Sequence, residues 1–93
     1  MNDIVNKFCV KTFGSSNLVT EIGKVTKVAS RTIHVDWGMK KYVYQNKDFR
    51  WIPLTKEEVE KKYPKSKFTE DSLKRALAFG LEIKGVKPVS EQG

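Results

Sequence analysis

Two side chains in this sequence carry the chemistry of proton transfer or nucleophilic attack: His34 and Cys9, each the single residue of its type. A working Cys–His pair needs the imidazole against the thiol and donors for a developing oxyanion. His34 and Cys9 fall in different expected strands, and no oxyanion loop is evident. The expectation is a protein without enzymatic activity. Structural zinc needs about four Cys or His ligands, and two are present. There is no phosphate-cradling glycine loop and no Walker-type lysine. No cofactor is expected.

The remaining chemistry is positive charge. Lys and Arg number 18 against 11 Asp and Glu, a net charge of +7. Such a surplus favours polyanionic partners: nucleic acid first, an acidic protein second. Lysines outnumber arginines fifteen to three. Lysine is a point charge suited to phosphate, whereas arginine reads guanine through two hydrogen bonds. Any nucleic-acid binding is therefore expected to discriminate weakly between sequences.

The surplus is uneven. Residues 1–54 hold nine basic and four acidic side chains, and residues 55–93 hold nine and seven. In the second part Glu57 precedes Lys61, Glu58 precedes Lys62, Glu70 precedes Lys74 and Asp71 precedes Arg75, each by four residues. That is the favourable order on a helix surface, so these charges are expected to pair locally. The candidates for binding are then Lys24, Lys27, Arg31, Lys40, Lys47 and Arg50, with Trp37 as the stacking ring. Lys41 is set aside because Asp36 should lie opposite it. Tyr42 and Tyr44 share a face with Ile33 and Val35 and are expected in the core. Trp37, near a strand end, is expected to be partly exposed.

The elements that position these residues follow from the pattern. In residues 32–44, TIHVDWGMKKYVY, apolar and polar side chains alternate as in a half-buried strand. Gly38-Met39 makes a two-residue turn with Gly first, as a type II′ hairpin requires. The register then sets Val35 opposite Tyr42, Ile33 opposite Tyr44, and Asp36 opposite Lys41 as an ion pair. A first strand runs through Phe8 and Val10, residues 14–17 turn, and a second strand covers 19–28 with Gly23 as a bend or bulge. Residues 49–54, FRWIPL, read as a last strand ended by Pro53. Thr55 with Glu58 has the spacing of a capping box, and Leu54 with Val59 that of a hydrophobic staple. This predicts a helix ending before Pro64. A second helix starts after Thr69, presents Leu73, Ala76 and Leu77, and stops at Gly80.

The order Gly23-x-Val25-x-x-Val28, Ile33-x-Val35-x-Trp37, Tyr42-x-Tyr44 and then DFRWIPL resembles small barrels of the Src-homology-3-like type, most closely the Tudor and KOW varieties. The resemblance spans roughly residues 4–54 and implies a short helical turn near Asn46–Phe49 before the last strand. The expected fold is mainly β with α. It is a single domain: a five-stranded small antiparallel barrel at about 4–54, two short helices within 55–80, partial order near Leu81 and Ile83, and a loose tail at 84–93. The N-terminus lacks the apolar run of a secretory signal, and one cysteine allows no internal disulfide, so an intracellular location is expected. No segment is long and apolar enough for a membrane helix. The functional expectation is a nucleic-acid-binding module using lysine–phosphate contacts. The alternative is an adaptor or small inhibitor that binds an acidic surface of a larger enzyme, as a phage-encoded accessory protein would.

Overall fold

Gly38 organises the centre of the sheet. It adopts φ of 96°, a left-handed value that costs glycine nothing, and the hairpin closes through Trp37 N–H donating to the Lys40 carbonyl at 2.9 Å. The strands on either side are β3 (Thr32–Asp36) and β4 (Lys41–Gln45). Their pairs are Asp36–Lys41, Val35–Tyr42, His34–Val43, Ile33–Tyr44 and Thr32–Gln45. The turn sets the register expected from sequence. In the computed structural model, residues 2–86 are described; of the loose tail expected at 84–93, residues 87–93 lie outside them, whereas Lys84 O accepts the Lys65 amide and Val86 packs on the core.

Two further strands complete one antiparallel sheet. They are β1 (Phe8–Phe13) and β2 (Leu18–Val28), and the order is β1-β2-β3-β4. The β1–β2 turn is a single 3-10 turn at Gly14–Ser16 followed by Asn17 in the left-handed region. The β2 ladder is irregular at two places, near Thr20 and near Thr26. Gly23 is at neither, so it is not the bulge expected from sequence. It pairs regularly with Cys9.

The sheet is open. Among the described residues it has four strands rather than five, and it does not close into a barrel. The segment expected as a fifth strand touches β1 at one bridge, where Phe8 N–H donates to Leu54 O at 2.7 Å and Leu54 N–H donates to Phe8 O at 2.8 Å. Pro53 has no amide hydrogen to extend a ladder. Phe49 and Trp51 instead turn under the sheet to pack on Tyr44, with ring centroids 6.2 and 5.1 Å away. The short helical turn expected before this segment is present at Asn46–Asp48.

Both helices are placed by their caps. Helix α1 (Lys56–Lys62) starts at Thr55, whose hydroxyl accepts the Glu58 amide while Glu58 accepts the Thr55 amide. Helix α2 (Glu70–Ala78) starts at Thr69. It ends in a Schellman arrangement: Gly80, at φ 89°, donates to Leu77 O, and Leu81 donates to Ala76 O. The inward stripe of α2 differs from the expected one. Ser72 and Ala76 are buried and Leu73 packs beside them, whereas Leu77 is exposed. Ser72 Oγ donates to Val19 O at 2.7 Å, and the same carbonyl accepts Thr69 N–H at 3.1 Å. These two bonds fasten the start of α2 to β2.

The sheet carries a separate apolar cluster on each face. On one face Phe8, Val19 and Ile22 pack with Val59, Tyr63, Phe68 and Ala76 from the helical part. Leu81 and Ile83 join this cluster and are fully buried, so residues expected to be partly ordered are core. On the other face Cys9, Val25, Ile33, Val35 and Trp37 are covered by Tyr44, Phe49 and Trp51.

Candidate nucleic-acid interface

Strand pairing decides which lysines share a surface. Lys24 pairs with Asp36, which pairs with Lys41; Lys27 pairs with His34, which pairs with Val43. Directly paired residues lie on the same side of a sheet. Lys24, Lys27, His34, Lys41 and Val43 therefore share one face, the reverse of the Cys9–Trp37 cluster. The helices cover this face over β1 and the first half of β2, where α2 packs on β2 and Leu54 bridges Phe8, and the Arg75 side chain of α2 reaches across to lie against Gly38 at the hairpin turn. Beyond that point Lys27, Lys41 and Val43 are exposed, and Lys24, His34 and Asp36 are partly so. Neighbouring strands are about 4.8 Å apart, so Lys24 and Lys41 stand roughly 10 Å apart across β3.

One carboxylate lies among these lysines, and it is occupied. Asp36 Oδ1 accepts the Gly38 amide at 2.7 Å. The expected Asp36–Lys41 ion pair is not formed, although the two residues are register partners. This corrects the reason for setting Lys41 aside. The signal was in the sequence: an Asp two residues before a turn glycine has the spacing at which its side chain bonds its own backbone.

The other candidates fall outside the face. Arg31 lies in the turn between β2 and β3, and Lys47 in the 3-10 turn after β4. The two turns meet through Asn46, whose amide donates to Arg31 O at 3.0 Å and whose side chain donates to Ser30 O at 3.3 Å. Arg31 and Lys47 thus mark one end of the hairpin. Lys40 marks the opposite end, about 20 Å away at the rise of an extended strand, with its ammonium 5.4 Å from the Tyr42 ring centre. Arg50 is exposed on the extended segment after the 3-10 turn. The lysines and arginines chosen from sequence are therefore one face group, Lys24 and Lys27, with others at its two ends.

Trp37 is not partly exposed. Its relative exposure is 6%, because the indole lies over Gly23, where no side chain intervenes. Trp51 meets it edge-on at 5.4 Å, and the Trp37 Nε1 donates to the Tyr44 hydroxyl at 3.0 Å. The Lys11 ammonium stands 4.5 Å from the indole centre and 3.6 Å from Glu21. Trp37 is core, and Lys11 is engaged. Tyr42, expected in the core, is 46% exposed. It sits on the edge strand, beyond the reach of Phe49 and Trp51, which gather on Tyr44.

The helical charges pair differently from the expected scheme. The ion pair in α1 is Lys56–Glu60 at 2.7 Å, while Glu58 is committed to its cap. The Glu82 amide donates to Glu60 at 2.7 Å. That bond, followed by the Lys56 contact, holds the Glu60 carboxyl below its ordinary pKa.

Cys9 and His34 are not brought together. Cys9 is enclosed in the Trp37 cluster, and burial pushes its thiol up to about 12; His34 is on the opposite face. Among the described residues no group of three or more His, Cys, Asp or Glu is placed to hold a metal ion, and no helix is long and apolar enough to cross a membrane.

Searches of protein-family models, curated proteins and solved structures found no match to this chain. The fold is thus described at the level of a small, open antiparallel sheet with two helices.

Proposed function

We propose that this protein binds nucleic acid through phosphate contacts from the uncovered face of its sheet, with Lys24, Lys27 and Lys41 at the centre. The observation that supports this reading is the β2–β3–β4 register, which gathers three lysines around a carboxylate already bonded to Gly38. Arg31 and Lys47 at one end, and Lys40 at the other, extend the positive surface along the hairpin. Arg50, on the segment that packs beneath the opposite face, lies apart from this surface. Trp37, buried in the core, drops out of the binding role expected from sequence, and Tyr42, though exposed, lies on the opposite side of the sheet, so the contacts of this face are electrostatic. The central contacts are lysines, with Arg75 of α2 lying against Gly38 at the turn, so recognition rests mainly on charge and is weakly selective for sequence.

The test is the salt dependence of oligonucleotide binding by fluorescence anisotropy. Three phosphate contacts predict log K falling with log salt at a slope of about −2 for a single strand and about −3 for a duplex. Neutralising Lys24, Lys27 and Lys41 to Gln should flatten that slope, whereas neutralising Lys61, Lys62 and Lys74 on the helices should leave it. No binding at about 50 mM salt would refute the proposal.

A further inference from the structure

We infer that the outer edge of β4 is a docking site for an extended acidic segment of a partner protein, which adds to the sheet as a further strand. The inference uses the edge of the sheet rather than its face, and it shares Lys41 with the nucleic-acid reading. Hydrogen bonds closing the hairpin at Trp37–Lys40 and continuing at Asn46–Arg31 set the alternation along β4. Tyr42 and Tyr44 turn their backbone groups toward β3. Lys41, Val43 and Gln45 turn theirs outward. Among the described residues no strand lies beyond β4. The chain that follows is carried under the sheet by Phe49 and Trp51, so it does not cover this edge.

A free edge of this kind is a template for strand addition, and its side chains specify the occupant. Between Asp36 and Asp48 there is no acidic residue, while Lys40, Lys41 and Lys47 are all exposed. Lys41 and Val43 line one side of the edge, with Lys27 on the same face. Tyr42 and Tyr44 line the other, their rings 5.8 Å apart. A strand laid here meets Lys41 and Val43 on one side and, on the other, the Tyr42 and Tyr44 rings with the Lys40 ammonium 5.4 Å from the Tyr42 ring centre. The matching segment presents acidic residues to Lys41 and apolar residues to the tyrosine rings, an alternation of the two. A second copy of this chain fits less well, because each copy carries a net charge of +7.

The experiment uses the full chain, isotope-labelled, and a short synthetic peptide alternating glutamate with valine. Hydrogen exchange at the Lys41 and Val43 amides should slow when the peptide binds. Val43→Pro removes an outward donor without touching the β3 ladder and should weaken the peptide about tenfold, the worth of one to two hydrogen bonds. Methylating the peptide's edge-facing amides should do the same on the unaltered protein, which keeps the test valid if Val43→Pro fails to fold. Equal affinity for the methylated peptide would show attraction by charge alone and overturn the inference. Equal protection of the two amides by an oligonucleotide would also overturn it. So would protection that rises with protein concentration in the absence of peptide, which would make a second copy the occupant.

Discussion

A methyl group added at Gly23 would stand 2.7 Å from both Trp37 Cε3 and Val35 Cγ1. The indole has nowhere to retreat, being held by Trp51 and by the Tyr44 hydroxyl. Gly23→Ala should therefore cost about 1–3 kcal/mol by overpacking, read as a lower urea midpoint with an unchanged slope. Cys9 lies beside this indole and its thiol is pushed up from 9.0 to about 12 by burial. The neutral thiol favours the folded state. Its contribution is complete below pH 9, and falls as pH rises toward 12, because the unfolded chain ionises first. Cys9→Ala should flatten the loss of stability over that window, compared by denaturation at matched pH values. The same burial should make the native thiol slow to react with alkylating reagents.

Among elements, the join between α1 and the last described segment is the one governed by acid. Glu60 accepts the Glu82 amide and meets Lys56, and both interactions hold its carboxyl below the ordinary value of 4.5. A depressed carboxyl stabilises above that ordinary value and loses its effect as pH falls through the lower one. Exchange at the Glu82 amide, corrected for its intrinsic rate, should accelerate as pH drops below 4.5. Glu60→Gln should remove that pH dependence. The hairpin and both helix starts could be read from sequence because each depends on a few adjacent residues: Gly38-Met39, Thr55 with Glu58, and Thr69. The fate of residues 49–54 could not. FRWIPL has the composition of a strand, but Trp51 finds a larger aromatic surface beneath the sheet than along its edge. Leu81 and Ile83 are two isolated apolar residues after a helix stop. Only the Gly80 turn that redirects the chain reveals them as core.

For the whole molecule, an open sheet leaves what a closed barrel would hide. One face of the β3–β4 hairpin is solvated and basic, the outer edge of β4 is unpaired among the described residues, and the helices cover the other half of the sheet. The candidate site was half legible in the sequence. The lysines on β2 could be chosen from charge excess, but their grouping with Lys41 depended on where Asp36 spends its carboxylate. Trp37 could not be separated from a stacking ring without knowing that Gly23 lies beneath it. The claim that unites these observations is that phosphate meets the face of Lys24, Lys27 and Lys41. The most direct test is a backbone amide map of the labelled protein titrated with a short oligonucleotide. The account predicts shifts centred on Lys24, Lys27, His34, Lys41 and Val43, fading toward α1 and α2. Shifts centred on the helices, or spread evenly over every lysine of the chain, would contradict it.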